Sequence, residues 1–334
     1  MTSELLNNRY RILQALGSGG FGETFLAEDT HLPSGRPCVV KQLKPIAQNP
    51  EINRLVQERF HREAAILEEL GMEIDQIPQL LAYFQEENRF YLVQEWIAGI
   101  SLKDYLQQQG KLLEREAREF VISLLQVLQQ VHHRGIIHRD IKPSNIMVRQ
   151  QDGKPILIDF GAAKEMMTLV DAKTPVQSIA IGTPGFMPPE QMGGHPVFAS
   201  DLYSLALTII HAFSGKLPYE LPRHSGTGML DWQALPPISP GFALVLQRAI
   251  HYSWHDRYPS AEAMLEALLT NPIDLQFSRL PADQTLTLPT PHSPLPRVAT
   301  PQPNSPAAHP TPHRQQHRPQ KNPNPPNHIK KLQK

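Results

Sequence analysis

The sequence has a single cysteine, Cys38, in 334 residues. No disulfide can form within the chain, and a disulfide-framed secreted scaffold is excluded. An excess of either charge is missing too, because 32 Lys and Arg balance 32 Asp and Glu. Such a chain has no global field to draw in nucleic acid, and no nucleic-acid partner is expected. Long apolar runs are also absent. The longest, Leu202 to Phe213, falls short of the roughly 20 residues that cross a bilayer and reads as a buried core helix. The opening MTSELLNNRY has neither the basic flank nor the apolar stretch of a secretory leader. A cytoplasmic protein without a transmembrane segment is therefore expected.

Acidic residues are nearly missing from one region. Phe277 to Lys334 holds one, Asp283, against eight Lys or Arg and 14 of the chain's 33 prolines. Apolar periodicity is lost there as well, and such a segment cannot bury enough surface to offset its chain entropy. Residues 273–334 are expected to form a disordered basic tail with stretches of polyproline II. Its Ser/Thr-Pro pairs, at Thr290, Ser293, Thr300, Ser305 and Thr311, and its basic charge suit an arm that is autophosphorylated, docks a partner or binds an anionic surface; a plain solvated linker is the commoner use of such composition. The tail histidines lack metal-site spacing, so no structural metal is expected. The folded part spans 10–272, after a short extension at 1–9.

What the folded part does contain is a change of pattern along its length. Tyr10 to Leu16, Thr24 to Ala27, Cys38 to Lys41 and Phe90 to Trp96 are rich in β-branched and aromatic residues between glycines and prolines, and read as strands. Pro50 to Leu70 carries Val56, Phe60, Glu63, Leu67 and Leu70 at helical spacing, and Leu113 to His132 is a long amphipathic helix. Ile146 to Val148 and Pro155 to Ile158 flank an Asp152-Gly153 turn and form a hairpin. From Ser200, a plausible helix cap, the chain reads as helical. The class is α+β: a small β-rich lobe with one helix, about 10–97, and a larger helical lobe, about 98–272.

The polar residues that stand out fall at the joints of this pattern. Gly17-Ser18-Gly19-Gly20-Phe21-Gly22 fits a glycine loop that closes over nucleotide phosphates. A dinucleotide-binding loop has the same signature but must open a helix, whereas strand-forming residues follow here. Lys41 ends an apolar strand, where an edge lysine reaching water is the plainer reading. Glu63, however, lies on an apolar helix face and needs a cation. A Lys41–Glu63 pair would satisfy both and aim the ammonium at phosphates. His138-Arg139-Asp140-Ile141-Lys142-Pro143-Ser144-Asn145 precedes the hairpin and Asp159-Phe160-Gly161 follows it. Phosphoryl transfer needs a proton acceptor, a cation near the γ-phosphate and hard oxygen ligands for Mg²⁺. Asp140, Lys142, and the pair Asn145 and Asp159 supply these in turn.

Taken together, the glycine loop, Cys38-Val39-Val40-Lys41, the 138–145 segment, Asp159-Phe160-Gly161 and Met187-Pro188-Pro189-Glu190 resemble the eukaryotic-type serine/threonine protein kinases, in family order and over about residues 10–270. The resemblance implies the two-lobed protein kinase fold, ATP as phosphoryl donor with Mg²⁺ (Mn²⁺ as the alternative), and protein substrates with Ser or Thr acceptors. By resemblance, Glu95, Trp96 and Ile97 belong to the hinge whose backbone bonds adenine, Gln94 is the gatekeeper, and Val39 and Met147 are the roof and floor of the adenine pocket. Thr24 takes the usual valine position, Asp201 holds the catalytic-loop backbone, and Glu190 pairs with Arg257. Thr183 would bridge Asp140 and Lys142, which like Lys142 itself implies Ser/Thr acceptors. A pseudokinase scaffold is disfavoured because Lys41, Glu63, Asp140, Asn145 and Asp159 are all present; a small-molecule kinase is disfavoured by the Glu190-terminated segment. Arg139 is expected to bond either nearby carbonyls or a phosphate on Ser178, with Thr174 second and Thr168 third. Phosphopeptide mapping of active protein should find one of these three modified; three unmodified sites would remove the expectation.

Overall fold

In a computed structural model of the chain, the residues described are 5–19, 22–43, 50–87, 89–160, 185–226 and 228–270. Gly20, Phe21, Gly161, Thr168, Thr174, Ser178, Thr183 and the tail lie outside them, as do the expectations attached to them. All described residues belong to one compact unit, Met1–Gln284.

The first part is a five-stranded antiparallel sheet in the order β1-β2-β3-β5-β4. Its strands are β1 (Tyr10–Gly19), β2 (Gly22–Asp29), β3 (Arg36–Leu43), β4 (Leu80–Glu86) and β5 (Arg89–Glu95). Alternation along the strands gives the sheet two faces. Tyr10, Ala27, Cys38, Val40, Tyr91 and Val93 cluster on one, where burial pushes the Cys38 thiol up to about 11 and leaves it unreactive at neutral pH. The register lines up the other face: Gly17 stands opposite Thr24, Thr24 opposite Lys41, and Leu26 opposite Val39, which stands opposite Gln94. Thr24, Val39, Lys41 and Gln94, singled out separately in the sequence, thus share one surface.

The helix α1 (Pro50–Gly71) packs against β4 and buries Phe60, Ala64, Leu67 and Leu70. Glycine is required where it ends: a Cβ on Gly71 would sit 2.5 Å from the Pro78 carbonyl oxygen. The loop between α1 and β4 is fastened to the second part of the fold. Gln76 accepts a hydrogen bond from Leu157 N–H at 2.8 Å, and its amide donates to the Pro155 carbonyl at 2.6 Å and to Ser123 Oγ at 2.8 Å. Arg149 donates to Asp75 at 2.7 Å, and Arg134 pairs with Glu69 and Glu73.

The second part begins with β6 (Gly99–Ser101) and α2 (Leu102–Gln109), capped by Ser101. The helix α3 (Glu114–His133) follows, then β7 (Ile146–Arg149) and β8 (Pro155–Leu157), which join β6 in a three-stranded sheet. Gly153 in the β7–β8 turn has φ +70°, a conformation open to glycine without strain. After the one-turn α4 (Pro189–Met192) comes α5 (Phe198–Ser214), buried over most of its length, as the apolar run at 202–213 indicated. It packs on α3, on α6 (Pro240–Ala249) and on α7 (Ala261–Thr270). Two readings of this region need correction. Ser200 is not the cap residue: it lies in the first turn of α5, where its Oγ accepts from Val197 N–H at 3.0 Å and donates to Glu190 at 2.7 Å. The chain after Ser200 is not helical throughout either. Between α5 and α6 the described residues form single 3-10 turns and one β-bridge, Arg223 with Leu230, and Pro218, Pro222, Pro236 and Pro237 disfavour a longer helix.

Arg257, with no exposed side-chain surface, closes this part through a two-point bond to Glu190 at 2.7 and 3.0 Å. Its remaining donors go to the His251, Ala199 and Tyr252 carbonyls. Burial alone would raise the Glu190 pKa, but the bonds from Arg257 and Ser200 outweigh it and hold the carboxyl below the ordinary glutamate value. A group depressed on folding contributes stability above its unfolded pKa and loses it as pH falls through the folded one. Arg257→Ala should therefore lower unfolding free energy by about 3–5 kcal/mol at pH 7 in a urea titration. Glu190→Gln should flatten the acid side of the stability–pH curve below about pH 4.5, measured by melting temperature against pH.

Candidate active site

The β7–β8 hairpin brings the two polar segments together. Its strands pair Ile146 with Leu157 and Met147 with Ile156, and Ile158 N–H reaches the Asn145 carbonyl at 3.0 Å. Asn145 and Asp159 therefore emerge side by side at its open end. Asn145 is buried, and its amide nitrogen donates to the Asp140 carboxylate at 2.7 Å and the Asp140 carbonyl at 2.9 Å. Those bonds commit the NH₂ group, so a cation would have to be met by Oδ1, which here also accepts from Ser144 Oγ at 3.2 Å. The Lys142 ammonium donates to the same Asp140 carboxylate at 3.1 Å.

Lys41 bridges the two parts of the fold. Its ammonium donates to Glu63 on α1 at 3.0 Å and contacts the Asp159 carboxylate. Burial works against the ammonium, but Asp159 and Glu63 outweigh it and hold its pKa above the ordinary lysine value. Partial burial pushes Asp159 toward protonation, yet Lys41 keeps it below the ordinary aspartate range. Glu63, deeper in the protein, is held above the glutamate range by burial. Arg62, the neighbouring cation in the sequence, is exposed.

Asp201 fixes the backbone at His138 and Arg139. Its carboxylate accepts from His138 N–H and Arg139 N–H, each at 2.9 Å. Arg139 and Asp159 have φ +68° and +60°, a left-handed conformation that costs a non-glycine residue about 1–3 kcal/mol and persists only where neighbours enforce it. At Arg139 the enforcers are Asp201 and Gln191, whose amide donates to the Arg139 carbonyl at 2.6 Å. His138 is fully buried, and burial holds its pKa below the ordinary histidine value. The neutral ring accepts from Asp140 N–H at Nδ1 and donates from Nε2 to the Ile158 carbonyl at 3.1 Å. One imidazole thus ties the Asp140 backbone to the hairpin.

Of the residues expected around a nucleotide base, Val39, Gln94 and Ile97 are buried; Ile97 lies in the β5–β6 connection and Met147 on β7, opposite Ser101 of β6. The Glu95 carboxylate accepts from Arg36 at 3.3 Å, and Glu95 N–H donates to Gln79. The glycine loop divides by role. A Cβ on Gly22 would strike the Gln42 carbonyl at 2.1 Å, whereas one on Gly17 would meet nothing within 4 Å among the described residues. Ser18 and Gly19 lie between them on β1. Positioning residues not singled out in the sequence are Gln191, noted above, and His132, whose Nε2 lies 2.9 Å from Asp201. A histidine on the apolar face of α3, four residues after Leu128, was the available signal.

Residues 10–271 match the family model described as the protein kinase domain. The chain belongs to the protein kinase family, whose members use ATP and a divalent metal. It is similar to the serine/threonine-protein kinase PknA of Nostoc sp. (strain PCC 7120), with 56% identity over 79% of this chain and 48% of that protein. It is also similar to serine/threonine-protein kinase C of Synechocystis sp. (strain PCC 6803), with 54% identity over 83% of this chain and 52% of that protein. The chain thus spans about half the length of these curated relatives. A solved structure, "PpkA-294 apo form", matches with TM-score 0.65 over 80% of this chain and 99% of that chain at 22% identity, a likeness of fold. Among the described residues no helix is long and apolar enough to cross a membrane.

The donor set fits a divalent cation. Asp159 and the Asn145 amide oxygen are hard oxygen ligands, two in number, as for a Mg²⁺ that shares its shell with phosphate oxygens and water. Replacing Asp201 with Ala should strand the two backbone donors and His132, and lower unfolding free energy by about 3 kcal/mol or more in a denaturant titration. Asp201→Asn, which keeps one acceptor oxygen, should lose less.

Proposed function

We propose that this chain is a serine/threonine protein kinase, transferring the γ-phosphoryl group of ATP to Ser or Thr hydroxyls of proteins. The observation that carries the reading is the convergence of Asp140, Lys142, Asn145, Asp159 and the Lys41–Glu63 pair on one end of the β7–β8 hairpin. The acceptor class is supported by Lys142 beside Asp140 and by the names of the relatives.

In this proposal Lys41, oriented by Glu63, binds the α- and β-phosphates, and Gly17, Ser18, Gly19, Gly20, Phe21 and Gly22 close over them. Gly17, whose missing side chain no described neighbour demands, leaves room for that approach. Thr24, Val39, Gln94, Glu95, Ile97 and Met147 enclose the nucleotide base and sugar. Asp140 accepts the proton of the acceptor hydroxyl as its oxygen bonds to the γ-phosphorus and the bond to the β,γ-bridging oxygen breaks. Lys142 offsets the charge on the moving phosphoryl group, with Thr183 bridging it to Asp140. Bound through Asn145 and Asp159, Mg²⁺ would neutralise phosphate charge and align the leaving group. For Asp159 to serve there, its hold on Lys41 must loosen in favour of the phosphates. A cytoplasmic location belongs to the same proposal, since ATP is its substrate.

The test is transfer of labelled γ-phosphate to protein or to the chain itself. Chelation of divalent ions should stop it, and Mg²⁺ or Mn²⁺ should restore it. Asp140→Asn should lower kcat by roughly 10²–10⁴, and Lys41→Met and Asp159→Ala should reduce transfer to background. Wild type that neither binds Mg²⁺-ATP nor transfers phosphate, even after treatment with an activating kinase, would leave only a scaffold.

A further inference from the structure

A cavity of about 620 Å³ opens beside the candidate active site, between α2, Pro143 and Ser144 of the catalytic loop, and the C-terminal end of α5. Pro143 and Ser144 are the residues between Lys142 and Asn145, so the cavity adjoins the segment that carries the candidate catalytic groups. The inner wall is apolar: Leu106 and Phe186 line it, with Phe186 held edge-on to the His211 ring at 6.0 Å. Lys103 and Lys111 stand at the rim and are exposed. Lys111 is placed by its neighbour: a Cβ on Gly215, which has φ +72°, would lie 2.6 Å from Lys111 Cε, so the lysine stem lies across that glycine. One acid, Glu220, also lines it; its carboxylate accepts from Leu217 N–H at 2.8 Å, and the two lysines outnumber it. An apolar trough rimmed by two such lysines complements an extended, acidic chain.

We infer that this cavity selects protein substrates carrying Asp or Glu within a few residues of the acceptor hydroxyl, with Lys103 and Lys111 as the specificity-determining side chains. Its occupant is assigned on the kinase reading above. The chain's own tail is the wrong partner, since from Phe277 on it has eight Lys or Arg and one acid. Two charge contacts at a partly exposed rim amount to roughly a ten-fold preference, which added salt should weaken.

The experiment uses the full chain and three fluorescent Ser-containing peptides alike but for flanking residues, which are Asp/Glu, Ala or Lys. Binding is followed by anisotropy, and phosphate transfer is measured in parallel. Wild type should bind and phosphorylate the acidic peptide about ten-fold better than the basic one. The K103E/K111E double variant should reverse that order, and K103A should lie between. Equal binding of all three peptides by wild type, or an unchanged order in the charge-reversed protein with an unaltered melting temperature, would overturn the inference. Acidic preference in binding without phosphate transfer by any route would support the docking site and overturn the kinase reading instead.

Discussion

An ammonium shielded from water by two parts of a fold must find its counter-charges there, and Lys41 finds them in Glu63 and Asp159. The three residues come from β3, from α1 and from the end of the β7–β8 hairpin. Loss of either carboxylate leaves a poorly solvated cation with one partner, and loss of the lysine leaves two neighbouring carboxylates repelling each other. The position of α1 against the sheet, the reach of the hairpin and the protonation state of the site are therefore one electrostatic problem. The carboxylates resolve it unequally, with Asp159 kept ionised while Glu63 is pushed toward protonation.

The other half of the site rests on a rigid floor. The helix α5 is buried almost throughout, and Asp201 in its first turn reaches up to the His138 and Arg139 amides. Two left-handed non-glycine residues, Arg139 and Asp159, border the same loop. Stored strain of this kind holds functional groups in one geometry before any ligand arrives. The Glu190–Arg257 pair and Ser200 anchor the same N-terminal end of that helix.

Much of this arrangement was legible in the residues. Glu63 on an apolar helix face required a cation, and Lys41 proved to be near it. The Asp152-Gly153 turn fixed the hairpin that brings Asn145 and Asp159 together, and the apolar run 202–213 marked the central helix. Other features depend on contacts that no local pattern encodes. Ser200 has the chemistry of a cap residue but sits inside the helix, because Glu190 and the Val197 amide both claim its hydroxyl. The short strand β6 is defined by pairing with β7, not by its own three residues. Gly17 and Gly22 look alike in sequence, and only the closeness of the Gln42 carbonyl separates a packing requirement from open space.

The fastening of residues 69–76 to the larger lobe has a mechanical consequence. Arg134, Arg149, Ser123 and the Pro155–Leu157 backbone grip the C-terminal end of α1 and the loop beyond it, while Glu63 lies between one and two turns upstream of Glu69, the first gripped residue. The helix is thus a lever with its fulcrum at one end. A small rotation about that point would carry the Glu63 carboxylate through an arc toward or away from Lys41 without sliding the helix along its axis.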